Sequence, residues 1–199
     1  MSHDEPTGYL ALPAAALPPP RRQLFVGTAL ACLAGSTLIG AMLGVWVLLR
    51  ERVVDAGDRF PVKYVITEVA SNVMLMTIFA LCLFAQWAVY AGKRGDRAHT
   101  ALALGVVAIM ALAFVNAQAF VWHTMAVPVK ENYYGALFYA MTGTMTALVI
   151  IGLVFTAVTF FRTLAGKLGD TEILSALALY WYFAAAAYAA VWFVVYVTK

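Results

Sequence analysis

The sequence predicts an all-α polytopic membrane protein, a bundle of five transmembrane helices. Composition is the first ground: 64% of the 199 residues are hydrophobic and 12% are charged. Soluble domains carry about a quarter of their residues as Asp, Glu, Lys and Arg. Length is the second. A bilayer core of about 30 Å takes about 20 apolar residues per helix, and spans of that kind are predicted at about 24–49, 66–91, 101–126, 135–161 and 173–197. The third is periodicity, since no stretch alternates apolar and polar residues between turn signals as a membrane barrel strand does.

Residues 1–22 precede the first span and contain "LALPAAALPPPRR". This Pro-rich arm has no periodic apolar face and is expected to be disordered or to dock along a partner. Residues 23–199 form the five-helix domain. In the first span, Ser36, Gly40 and Gly44 recur every four residues in "STLIGAMLG", a row that lets two backbones approach closely. The stretch 50–65 mixes both charges and contains a proline, so it is expected as a solvated connection. "GKRGDRAHT" then makes a short basic turn before the third span. Ala184 to Ala187 in the last span allow close packing, and Trp192 and Tyr196 are expected as interfacial anchors. Gly143 and Gly152 in the fourth span are further candidate packing positions.

Charge excludes some functions and barely orients the chain. The 13 Lys and Arg against 10 Asp and Glu are scattered over loops, with no basic patch for nucleic acid. Lys and Arg number seven on the amino-terminal side and six on the other, which leans towards a cytoplasmic amino terminus and an external carboxyl terminus. Cys32 and Cys82 lie in different spans and read as small buried residues. The first apolar run exceeds the 7–15 residues of a signal core.

Few residues can carry chemistry. Glu68 is the only acid in any span, near its start, and His123 is near the end of the third. Asn72 shares a helix face with Glu68, and Asn116, Gln118 and Thr142 fall at matching depth. These six are expected to form a polar cluster in the outer half of the bundle. Its plainer role is interhelical hydrogen bonding; its sharper one is a water-filled cleft or lipid-headgroup pocket. A dinuclear haem–copper centre needs several histidines where the spans have one, and there is no phosphate loop, nucleophile elbow or His-Glu-x-x-His run. No catalytic, cofactor-binding or metal site is expected in this chain.

Several stretches, taken in order, carry a resemblance: "VGT" at Val26–Thr28, "RGD" at Arg94–Asp96, "NAQAF" at Asn116–Phe120, "YYGALFYAMTG" at Tyr133–Gly143, "VIIG" at Val149–Gly152 and "ALYWYF" at Ala178–Phe183. Over about 170 residues the chain resembles subunit III of the haem–copper (cytochrome c) oxidases, in its short five-helix bacterial form. Where that family has T-G-F-H-x-x-H, this chain has Met145 and Leu148 at the histidines. For W-H-F-V-D it has Trp181 to Ala185, and the family's acids fall near Gly35 and on Val121. It is thus a degenerate member that keeps packing residues and lacks ionisable ones.

The resemblance implies a non-catalytic component of a bacterial respiratory complex in the plasma membrane. It would pack on the catalytic subunit I and bind phospholipid, with haem and copper in the partner subunits. A nitric oxide reductase-associated subunit of the same family is the alternative. A free-standing small transporter or sensor is another, although broken helices and internal repeats around a midplane site are lacking.

Overall fold

A computed structural model describes residues 22–57, 68–127, 133–167 and 171–197. Five helices follow in order: α1 (Gln23–Asp55), α2 (Glu68–Lys93), α3 (Arg97–Met125), α4 (Tyr133–Leu164) and α5 (Glu172–Trp192), the last continued by a π-helical turn at Phe193–Val197. All five are long and apolar enough to cross a membrane, and no strand occurs among the described residues. The Pro-rich arm lies outside them except for Arg22, as does the second half of the 50–65 connection.

What is described of that connection differs from the expectation. Residues 50–55 extend α1 beyond the predicted span. Arg50, Glu51 and Arg52 are good helix formers, so the helix continues after the apolar run ends. It stops where Gly57 takes a positive φ of 83° and donates its N–H to the Val54 carbonyl, a left-handed conformation that glycine adopts without a Cβ clash.

The helices α2, α3, α4 and α5 form a closed ring of neighbours, and α1 leans on the outside of α5. Aromatic, aliphatic and small residues make up the core. Trp46, Trp181, Tyr188, Phe114 and Phe138 are its largest fully buried side chains. Gly152 lets α4 and α5 meet closely, because a Cβ there would lie 2.8–2.9 Å from the rings of Tyr180 and Trp181.

Helix ends at the Gln23 face are tied by specific polar contacts. Asp96 caps α3 by accepting the His99 N–H at 3.1 Å and meets the His99 ring nitrogen at 2.6 Å. These contacts hold the Asp96 carboxyl below its ordinary value, the backbone hydrogen bond from His99 first among the causes. Arg97 donates to the Leu164 carbonyl at the end of α4, 2.7 Å away. Glu172 accepts the Phe25 N–H at 2.8 Å, so α5 caps α1. Each contact satisfies a group that a helix end would leave bare.

Candidate functional site

Apart from Thr100 near the start of α3, the buried polar groups fall into two sets, one dry and one open. The dry set is built on α4, whose threonines each donate back to a carbonyl four residues earlier. A threonine oxygen that has spent its proton this way still accepts. Trp122 of α3 donates to Thr142 at 2.9 Å, and Trp181 of α5 donates to Thr156 at 3.0 Å. Tyr180 reaches the Leu148 carbonyl at 2.6 Å, and the Cys82 thiol reaches the Trp181 carbonyl at 3.4 Å. Every bond in this set is neutral. Interhelical bonds of this kind contribute on the order of 0.6 kcal/mol each, so they fix register more than they supply stability.

The positions named by their missing charges sit within this dry packing. Met145, Val121 and Ala185 are buried. A Cβ on Gly35 would lie 2.5 Å from the tip of the Phe183 ring, so a side chain there would have to displace that ring. Leu148 is half-buried and offers its carbonyl to Tyr180. Tyr182 alone is outward, donating to Gln86 at 3.0 Å. A charge in lipid costs at least about 2.5–3.5 kcal/mol on insertion scales.

The open set lies at the opposite end, where α2 begins and α5 finishes. Glu68, Ser71, Asn72, Trp192, Tyr196 and Val197 line a cleft of about 280 Å³. Trp192 donates to Asn72 Oδ1 at 3.0 Å, and Tyr188 donates to the Ser71 carbonyl at 3.4 Å. Tyr196 is buried beside Tyr134 and Gln118.

The six polar residues expected as one cluster are thus distributed over several places. Glu68 and Asn72 share the cleft, and Gln118 is buried behind its Tyr196 wall. Thr142 is buried in the Trp122 bridge, while Asn116 and His123 are exposed. Sequence reasoning passed over Ser71 and the Trp–Thr bridges. The signal for the bridges was present in Thr142, Trp122, Thr156 and Trp181, but which helix faces meet is not written in local spacing. Tyr196 and Trp192, expected as outer anchors, both line the cleft.

Among the packing candidates, Gly152 meets Tyr180 and Trp181, whereas a Cβ on Gly40, Gly44 or Gly143 would meet nothing within 4 Å. Ser36, Gly40 and Gly44 are exposed on α1, so that row makes no helix contact among the described residues. At the Gln23 face a second cleft of about 180 Å³ is lined by residues that include Gly92, Asp96, Arg97, Thr163 and Thr171. Its Asp96 and Arg97 are engaged in the capping contacts already given. No group of three or more His, Cys, Asp and Glu side chains gathers among the described residues.

The family model for cytochrome c oxidase subunit III matches residues 65–199, which takes in α2 to α5. The chain is 25% identical over 170 residues to a probable cytochrome c oxidase subunit 3 of Rickettsia felis, covering 80% of this chain and 58% of that one. It is 31% identical over 99 residues to cytochrome c oxidase subunit 3 of Bos taurus, covering 49% and 38%. Similarity to the subunit 3 of Prototheca wickerhamii is 30% over 96 residues, covering 48% and 37%. The chain therefore spans about half the length of the curated relatives it matches, or less.

Proposed function

Because the chain belongs to the cytochrome c oxidase subunit III family, we propose that it is the structural, non-catalytic subunit III of a bacterial respiratory oxidase. In this role it stabilises the complex by shape, and the haem and copper reside in the partner subunits. The observation that carries the reading is the dry packing at the positions of the lost charges. Gly35 abuts Phe183, and Val121, Met145 and Ala185 are buried. Those sites contribute contact area, not proton exchange.

The exposed row of Ser36, Gly40 and Gly44 on α1 supports docking on the catalytic subunit through that helix, since small residues let a foreign helix come close. Phospholipid covers the remaining apolar flank, where Val69, Val73, Met76 and Leu83 of α2 are exposed. The small excess of basic residues favours a cytoplasmic amino terminus in the plasma membrane, which puts the Glu68 cleft on the outer side.

Gentle detergent extraction of the tagged chain tests the reading. Copurification of a haem-containing partner, seen by visible absorption, is the expected result. A colourless, monodisperse protein whose removal leaves the oxidase activity intact in the remaining extract would sink it.

A further inference from the structure

Two buried polar atoms at the Glu68 end complete no hydrogen bond among the described residues. Tyr196 is 4% exposed, and its hydroxyl approaches Gln118 without reaching bonding geometry. Gln118 is 1% exposed, and its amide nitrogen has no acceptor. Buried polar groups in native proteins are paired with protein atoms or with ordered water. These two lie side by side, and Tyr196 also forms a wall of the outer cleft.

The surroundings suit water. The cleft volume of about 280 Å³ is far above the roughly 10–15 Å³ that admits one molecule. A water bound there needs two to four polar partners. The Gln118 amide donates, and the Tyr196 hydroxyl donates and accepts. Nearer the mouth, Asn72 keeps its amide nitrogen while its oxygen holds Trp192. The Glu68 carboxylate accepts several donors at once on its two oxygens. The end of α5 is also irregular here: Phe193–Val197 is a π-helical turn, which resets side-chain register after Trp192 and is a feature frequent at functional sites.

We propose that this cleft is a hydrated inlet, in which ordered water enters between α2 and the last turn of α5 and is bound by Tyr196 and Gln118. The Trp122 indole N–H and the Thr142 hydroxyl proton are already engaged and offer that water no donor. This goes beyond the subunit III reading and holds whichever complex hosts the chain, so copurification and hydration are separate outcomes.

Radiolytic hydroxylation of the full chain in phospholipid nanodiscs, read by mass spectrometry with oxygen-18 water, tests it. Tyr196 is expected to label several-fold faster than Tyr180, which is similarly enclosed at 7% exposure but tied to the Leu148 carbonyl. Gln118→Leu is expected to lower Tyr196 labelling several-fold with helicity unchanged. If that variant does not fold, Tyr196→Phe is read instead, with a fall expected at the neighbouring Tyr134. Equal labelling of Tyr196 and Tyr180 overturns the proposal, as does labelling indifferent to these substitutions. Labelling that appears only after phospholipid is stripped also overturns it, and assigns the cleft to a lipid headgroup.

Discussion

Half of the apolar window of α5 is buried inside the protein, against 22% of that of α1. Both are long apolar helices, so hydrophobicity does not separate them. Side-chain size does. In α5, Ala176, Ala178, Ala184, Ala185 and Ala187 are buried between Tyr180, Trp181 and Tyr188, so neighbouring helices close in around small residues and aromatics fill the space between. In α1 the buried residues are Cys32, Ile39 and Trp46. They recur every seven residues, the spacing of a single seam along one partner helix. Trp46 extends that seam slightly, with its ring 5.4 Å from Tyr134. The comparison teaches that, in lipid, a helix becomes central by being shaped to fit several neighbours. Apolar character alone leaves it at the edge.

The comparison breaks most readily at Trp181. Trp181→Ala is predicted to cost about 3–5 kcal/mol, the range for large-to-small changes of buried aromatics. Its unfolding midpoint in a mixed-micelle denaturant titration should fall far below that of the parent, and an unchanged midpoint would remove α5 from the centre. Gly152→Val is expected to cost about 1–3 kcal/mol, because overpacking forces neighbours off their rotamers where Tyr180 and Trp181 already crowd the site. Protease accessibility of the α4–α5 connection would report the splaying, and the argument fails if digestion is unaltered.

A smaller loss, about 0.6–1.7 kcal/mol, should follow Thr156→Val, which keeps the shape and deprives Trp181 of its acceptor. A blue-shifted indole emission at constant fold would register the lost hydrogen bond. By contrast, Gly44→Ala on α1 should leave the isolated chain within about 0.5 kcal/mol, as surface changes usually do. The same change should weaken copurification with the oxidase if that face docks. A destabilised isolated chain would show that α1 packs inside after all.

The smallest effect concerns pH. The Asp96 carboxyl is held below its ordinary value of 3.8, so its cap on α3 is complete above that value and is lost as pH falls through the lowered one. Amide exchange at His99, corrected for intrinsic rate, should rise only on the acid side. A rise already near neutrality would overturn this account of the cap.

Much of the fold was legible before the structure. Five apolar lengths, interrupted by short charged turns, correspond to five helices, because crossing a bilayer is a requirement each segment meets by itself. The end of α1 was less so, since Arg50–Asp55 reads as polar connection and yet is helical. At the candidate site, Glu68 and Asn72 were visible as intramembrane polar residues four apart. Tyr196 was not, because an aromatic near a span's end reads as an interfacial anchor until a π-helical turn places it against the cleft.

By itself the sequence determined the helix class, the number of crossings, the family frame and the loss of ionisable groups along it. Each follows from residue types in local order. Only the tertiary structure decided which face of each helix is inside: that Gly152 is a contact and Gly44 is open, or that Gln118 is enclosed and Asn116 exposed. The reason is the solvent. In water a helix marks its buried side with apolar residues, whereas lipid is as apolar as the core, so the inner and outer faces look alike until the helices are packed.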